Sequence, residues 1–573
     1  MAAVSGKVVQ HNLVAKCCQQ DRELSTKYQL RYCILSRCNL LPPIERKLAC
    51  NVNSTMQLGA LSKFKRGIVY CNAASPSTSI PSVEKNDFLE LQNGSDIRGV
   101  AIDGVEGEPL TLTETVTEAI AEGFACWLLE KRNILASTPA MFNSTLTVNE
   151  EFSCPVDGSI MITASHLPYN RNGFKFFTSA GGLGKSDIKD ILERAADIYK
   201  KIANDGSKGP ETSASLYVKR VDYMSVYASN LVAAVRKAAG NIEKPLEGFH
   251  IIVDAGNGAG GFFVGKVLEP LGAITSGSQF LEPDGLFPNH IPNPEDKTAM
   301  KAITKAVLDN RADLGIIFDT DVDRSAAVDS SGREFNRNRL IALMSAIVLE
   351  EHPGTTIVTD SVTSDGLTTF IENKLGGKHQ RFKRGYKNVI DEAIRLNSVG
   401  EEAHLAIETS GHGALKENHW LDDGAYLMVK LLNKLASART SGLGGGSKVL
   451  TDMVEGLEEP AVAVELRLKI DQNHSDLKGG SFRDYGEAVL KQVENTVESD
   501  AKLVKAPVNY EGVRVSGYDG WFLLRLSLHD PVLPLNIEAP SNEEAVKLAH
   551  DVLNAVKEFT ALDTSALTKF VGV

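Results

Sequence analysis

Five times along this chain a short apolar run opens into a polar or glycine-rich loop and then a helix. Ser159–Ile162 opens into Thr163-Ala-Ser-His166, and Phe249–Val253 into Asp254-Ala-Gly-Asn-Gly258. Leu314–Phe318 opens into Asp319-Thr-Asp-Val-Asp323, Thr356–Val358 into Thr359-Asp-Ser361, and Leu405–Ile407 into Glu408-Thr-Ser-Gly411. Short buried strands alternating with helices point to layered α/β folding on largely parallel sheets. Ligands of such sheets collect beyond the carboxyl ends of the strands, where the reactive side chains of this chain fall.

Between the loops the helical period is plain. Ile188, Ile191, Leu192, Ala195, Ile198, Tyr199 and Ile202 recur every three or four residues, with Ser186 as N-cap and Gly206 as stop. A second amphipathic run covers Tyr223–Ala239. The pattern changes after the Gly/Ser-rich loop Thr440–Ser447 and the turn at Glu458–Pro460. Ala461–Ile470, Val513–Val515, Trp521–Leu526 and Leu535–Glu538 read as an antiparallel sheet, with a helix Glu543–Ala561 closing the fold. A length of 573 residues suits three or four domains.

The net charge of −12 conceals a division. Residues 1–83 carry 11 Lys and Arg against 3 Asp and Glu, a net of +8, and the remainder carries −20. An acidic body argues against general nucleic-acid binding. No apolar run reaches the length of a membrane span. Only Cys126 and Cys154 lie in the body, so disulfides are not expected to hold it. The basic, acid-poor head holds the other six cysteines without a Cys-x-x-Cys pair, which disfavours a metal module. A transit peptide ending near Val69-Tyr-Cys-Asn-Ala-Ala74 fits better, with residues 1–73 removed on import into the plastid stroma. A mitochondrial peptide and a disordered cytoplasmic extension are the alternatives.

Four loops carry chemistry. In Thr163-Ala-Ser-His166 a serine hydroxyl follows a strand, and a tight turn at Asn172–Gly173 is expected to return Lys175 toward it. Such a serine needs a nearby base or cation before it can transfer a phosphoryl or acyl group. No Gly-x-Ser-x-Gly elbow supports a hydrolase. In Asp319-Thr-Asp-Val-Asp-Arg324 three carboxylates at alternate positions can converge on one hard cation. Arg324 and Ser330 stand where a calcium-binding EF-hand needs glycine and glutamate, so that reading fails; a solvated acidic turn remains the bland alternative. Glu408, Ser410 and His412 suit hydrogen bonding to a polyol, or are turn residues alone. In Arg525-Leu-Ser-Leu-His529, strand alternation would aim Ser527 and His529 to one side, and Arg525 offers a planar fork for phosphate or for a surface ion pair.

Two glycine motifs are decoys. Gly256-Asn-Gly-Ala-Gly-Gly261 matches a dinucleotide fingerprint, but no acid ends a second strand at the required distance. Gly181-Gly-Leu-Gly-Lys-Ser186 imitates a phosphate loop, but Ser179 replaces its first glycine.

Together, and in this order, the four loops resemble the α-D-phosphohexomutase superfamily, closest to plant and bacterial-type phosphoglucomutase/phosphomannomutase proteins, over most of residues 90–573. The resemblance implies three similar α/β domains with mixed or parallel sheets (84–220, 221–352 and 353–455) and an α+β domain with an antiparallel sheet (456–573), around a central cleft. It implies that Ser165 is carried phosphorylated and, with Asp319, Asp321 and Asp323, holds one Mg2+. Arg98, in Gly94-Ser-Asp-Ile-Arg-Gly99, would lie near the phosphoserine, with Lys175 and His166 as the acid/base group. Arg324, Lys387 (in Arg384-Gly-Tyr-Lys-Asn388), Glu408, Ser410, His412, Arg525, Ser527 and His529 would bind a hexose phosphate. A hexose bisphosphate would be activator and intermediate, and the chain a monomer or homodimer.

The departures are Leu167, Ile407 and His529-Asp530, where the family has Asn, Gly and Thr-Glu. The family also has a β-α unit before the segment resembling Ala136-Ser-Thr-Pro139; here only Glu130–Leu135 separate that segment from a helix. The implied activity interconverts hexose 1-phosphate and hexose 6-phosphate, glucose favoured. The alternatives are a phosphomannomutase and a shortened variant that binds sugar phosphates without turnover.

Overall fold

Leu314–Phe318 is buried at every residue, and a strand apolar on both faces must be covered on both. In the computed structural model it lies inside a four-stranded sheet, parallel to Ile251–Asp254 and antiparallel to Ser325–Asp329, with Glu334–Phe335 at the edge. The structure describes residues 85–102, 104–105, 107–131, 139–149, 154–165, 167–204, 222–442, 446–477, 481–527 and 530–572, together with Tyr32 and Cys33.

Lys378–Phe382, Thr356–Asp360 and Ala403–Ile407 run parallel in a neighbouring sheet, and Gly413–Leu415 turns back antiparallel. These two sheets share one continuous apolar core that includes Leu231, Ile316, Leu343, Leu405 and Leu431. The helix Tyr223–Ala238, capped by Asp222, packs there on Gly424–Thr440. Each fully buried aliphatic side chain of such a core is worth about 1.5–3 kcal/mol.

The first sheet has a separate core, built on Ile97, Ile120, Phe124, Phe176, Ile188 and Leu192. Arg171–Thr178 pairs antiparallel with both Gly158–Ile162 and Asp96–Val100, and Tyr32–Cys33 lies parallel to Gly158–Ile162. The helices Glu114–Lys131 and Lys185–Asn204 approach at Gly123, where a Cβ would sit 2.8 Å from the Ile191 carbonyl. Two local expectations are corrected. The turn before Lys175 falls at Pro168–Arg171, where the Arg171 amide donates to the Pro168 carbonyl, and Asn172 and Gly173 lie within the strand. Ser186 lies inside its helix, which is closed instead by Asp187 accepting from the Gly184 amide. Gly206 and, apart from Tyr32 and Cys33, the expected transit segment lie outside the described residues.

The fourth sheet is antiparallel throughout, in the order Val504–Lys505, Val513–Gly517, Gly520–Leu524, Val532–Ala539, Val462–Ile470, Leu562–Asp563. Gly520–Leu524 stops before Arg525, short of the expected Leu526. The residue facing Arg525 is Pro534, which accepts from the Arg525 amide and has no N–H to return. The pairing nonetheless carries on in the same register, the Ser527 amide donating to the Val532 carbonyl at 3.0 Å. The closing helix is also shorter than expected, Asn542–Val556, followed by Leu562–Asp563 and a last helix Ser565–Val571. Among the described residues no helix is long and apolar enough to cross a membrane.

Candidate active site

The loop after Leu314–Phe318 curls sharply. Val322 takes φ 67°, a conformation that a β-branched residue rarely adopts. The curl brings ligand oxygens of Asp319, Asp321 and Asp323, all buried, within 4.8 Å of one another. Ser165, also in the left-handed region at φ 52°, approaches from the first sheet and donates through Oγ to Asp319 Oδ2 at 3.1 Å. Residues strained in this way cluster at functional sites, held by their surroundings. Burial, then repulsion from Asp323 and Asp321, raises the Asp319 carboxyl well above the usual range. Burial pushes Asp323 the same way, but Lys175, His412 and Arg324 outweigh it and hold that carboxyl down.

Sheet register accounts for the cations. Arg98 stands opposite Gly173, and Lys175 lies two residues further along that strand, so all three share one face. Gly173 leaves the space that Arg98 uses: a Cβ there would lie 3.1 Å from Arg98 Cγ. Lys175 Nζ lies 3.2 Å from Asp321 Oδ2 and closer still to Asp323 Oδ2. Burial alone would lower its pKa; the two carboxylates raise it well above the usual value, so it stands as an ammonium. Arg98 donates to Asp96 at 2.8 Å and feels the charge of Asp321.

The third sheet closes the other side. The Arg324 guanidinium donates from Nε to His412 Nε2 at 2.9 Å, and His412 Nδ1 lies 2.7 Å from Asp422 Oδ2. Burial pushes the His412 imidazole down to about 4. The ring is therefore neutral, and because Nε2 accepts, its proton sits on Nδ1. Gly411 makes the approach possible, at φ 95°, with a would-be Cβ 2.9 Å from the Ser325 carbonyl. Glu408 accepts from the Gly385 amide at 2.5 Å and from Ser410 Oγ at 3.2 Å.

Ser165, Lys175, Arg98, Arg324, His412, Glu408, Ser410 and the three aspartates thus meet. Lys387 instead pairs with Asp391 one turn along its helix, at 2.8 Å. Arg525 lies on the fourth-sheet side. Burial and then repulsion from Arg384 lower its pKa. Ser527 Oγ accepts from the Asp530 amide at 3.3 Å. His166 and His529 lie outside the described residues. The sequence reading did not single out Asp422, Tyr386, Arg384 or Glu295. Arg384 binds Glu295 at 3.2 Å and lies 3.9 Å from Asp360, at the end of Thr356–Asp360, and from Glu465, within Val462–Ile470. Asp422 carried a faint signal: of the pair Asp422-Asp423 only Asp423 is needed to cap the helix Gly424–Thr440.

A divalent cation fits here on the donor set. Among the described residues, Asp321 Oδ1 and Asp323 Oδ1 are buried without a hydrogen-bond partner, and all-oxygen carboxylate sets suit hard cations. The glycine-rich turn at 256–261 serves packing: a Cβ on Gly258 would lie 2.7 Å from the Thr320 backbone.

Residues 93–202, 225–332 and 336–454 match the family descriptions "Phosphoglucomutase/phosphomannomutase, alpha/beta/alpha" domain I, domain II and domain III, respectively. A "Phosphomannomutase/phosphoglucomutase" of Pseudomonas putida is 28% identical over 417 residues, covering 72% of this chain and 78% of that protein. A "Phosphoglucomutase" of Neisseria gonorrhoeae is 28% identical over 425 residues, covering 74% and 81%. A phosphoglucomutase/phosphomannomutase family protein from Burkholderia thailandensis has a similar fold, with a TM-score of 0.61 at 24% identity, over 84% of this chain and all of that one. The open form of parafusin from Paramecium gives a TM-score of 0.58 at 15% identity, over 84% and 95%.

Proposed function

Since the chain belongs to the α-D-phosphohexomutase superfamily, we propose that it interconverts hexose 1-phosphate and hexose 6-phosphate, glucose favoured, through a phosphate carried on Ser165. The observation that carries this is that Ser165 Oγ and Lys175 Nζ meet the same buried aspartate loop. The free hydroxyl of the bound sugar attacks the phosphorus of phospho-Ser165, and the Oγ–P bond breaks. The product is a bisphosphorylated hexose, which turns over in the cleft and returns its other phosphate to Ser165.

Lys175 would hold the charge and a proton for the departing Oγ, and His166 would complete the acid/base group. Arg98 faces the same phosphoryl group. Glu408, Ser410 and His412 read the sugar hydroxyls, with Arg324 fixing His412. Arg525 and Ser527, with His529, grip the phosphate at the far end, and Lys387 reaches substrate by leaving Asp391. One Mg2+ on Asp319, Asp321, Asp323 and Ser165 would neutralise charge on the transferring phosphoryl group. The relatives' names cover both glucose and mannose phosphates, so mannose is the competing sugar. The basic head, residues 1–73, we assign to plastid import on its composition.

A coupled assay converting glucose 1-phosphate to glucose 6-phosphate tests the reading. Turnover that needs Mg2+, is primed by glucose 1,6-bisphosphate and exceeds that with mannose 1-phosphate is expected. Folded, magnesium-loaded, phosphorylated protein without turnover on either sugar contradicts it and favours a shortened, non-catalytic binder.

A further inference from the structure

Tyr386 opens the helix Tyr386–Ser398 and reaches across to the first sheet. Its ring packs on His412, centroids 5.2 Å apart and planes at 30°, and the Lys175 ammonium stands 5.6 Å from its centroid. The negative face of an aromatic ring attracts such a cation. Its hydroxyl lies 3.3 Å from Ser95 Oγ and donates to Asp96 Oδ1 at 3.3 Å. The other carboxylate oxygen of Asp96 holds Arg98. A single half-buried side chain therefore touches His412 of the sugar loop, Lys175 beside the aspartates, and the turn that aims Arg98.

We propose that Tyr386 is a positioning residue for the mutase reaction, a strut that sets the sugar loop of the third sheet against the Ser95–Asp96 turn and so keeps Arg98, Lys175 and His412 in register. The inference rests on the phosphohexomutase reading and adds a residue to it. The ring and the hydroxyl have separate tasks: the ring spaces Lys175 from His412, and the hydroxyl ties that pair to the Arg98 turn. Both hydroxyl contacts are longer than an ideal O–H···O bond, and contacts of this kind tighten when substrate closes the site. A strut that improves alignment acts on kcat more than on ground-state binding.

Tyr386→Phe keeps the ring and removes the tie. The expected result is a fall in kcat of about tenfold with KM within about twofold, and amides of Ser95 and Asp96 that exchange with deuterium several-fold faster at unchanged thermal midpoint. Tyr386→Leu, which also removes the ring, should cost about 100-fold in kcat. Adding Ser95→Ala to Tyr386→Phe should bring little further loss, since both cut the same tie. Wild-type kcat together with wild-type exchange in Tyr386→Phe overturns the proposal, as does a full additive loss from Ser95→Ala. Exchange needs no turnover: if the wild-type protein is inactive on hexose phosphates, the functional reading fails, while the amides of Ser95 and Asp96 still decide the strut.

Discussion

The first sheet brings buried charge to the second and third, beside apolar packing of Ala140, Cys154 and Val156 in their shared core; the fourth is joined by a guanidinium that spans an indole, main-chain carbonyls and a carboxylate. At the first junction the first sheet brings Lys175 and Ser165, and the second brings Asp319, Asp321 and Asp323. At the fourth, Arg514 donates to the Ser361 and Thr363 carbonyls at 2.9 and 3.2 Å and to Asp365 at 2.9 Å, and stacks 3.7 Å from the Trp521 ring centroid. Val362, Trp521 and Leu523 form a small apolar cluster beside it. Ser165 and Lys175 dock on the carboxylates of the site itself, so this part of the junction and the site form together. Tyr223 donating to Asn143 Oδ1 at 2.9 Å and the packing of Ala140, Cys154 and Val156 hold the rest. The Arg514 contacts at the fourth junction involve none of Ser165, Lys175 and the aspartates, and under the proposed function that side grips phosphate. Damage to the first should therefore appear in kcat, and damage to the fourth in KM.

Ser165→Ala should show the largest effect, a loss of about a thousandfold or more in turnover, because the group that carries the phosphate is gone. Substantial turnover in that variant removes Ser165 from the mechanism. Lys175→Met should lower kcat by about a hundredfold or more. It should also destabilise the protein, since removing one partner from a buried pair costs about 3–5 kcal/mol. An unchanged kcat would separate the junction from the chemistry.

Arg514→Leu strips donors from two buried carbonyls, a cost of about 1–3 kcal/mol per unsatisfied group. It should raise KM for hexose phosphate several-fold, leaving phosphate on Ser165 and kcat close to wild type. A kcat loss matching that of Lys175→Met would erase the distinction between the junctions.

The smallest effect concerns Glu538, which accepts from Trp521 Nε1 at 3.0 Å. Burial pushes its carboxyl up from the usual 4.5 to about 7. The folded protein then keeps a proton that the unfolded chain has lost. That contribution is complete below about pH 4.5 and disappears as pH rises through about 7. Glu538→Gln keeps an acceptor for the indole without the titration. Its melting temperature should match wild type near pH 4.5 and exceed it increasingly towards pH 8. Parallel melting curves across that range would contradict the assignment.

Much of this was legible in the chain. The buried run Leu314–Phe318 dictates where the aspartate loop starts, and alternate carboxylates on a loop leaving a strand end announce their chemistry. The left-handed turn at Val322 that makes them converge carries no local signal, because nothing in a valine favours φ above zero. Asp422, Arg384 and Tyr386 were missed for a related reason: they lie in or beside loops without periodicity, and their roles exist only once three sheets meet. Lys387 shows the converse, since its pairing with Asp391 one turn along the helix is a local contact that its place beside a site loop did not reveal. At the fourth junction, Pro534 was visible in the sequence, but its effect on Arg525 depended on a strand register that the sequence did not reveal.

The central claim is that the first sheet delivers a phosphate-carrying serine onto the aspartate loop. Intact-mass and peptide mapping after incubation with Mg2+ and glucose 1,6-bisphosphate tests it most directly. The account predicts one phosphate, on Ser165, that is discharged when glucose 6-phosphate is added. Folded, magnesium-loaded protein that takes up no phosphate, or takes it elsewhere while turning over, would contradict it.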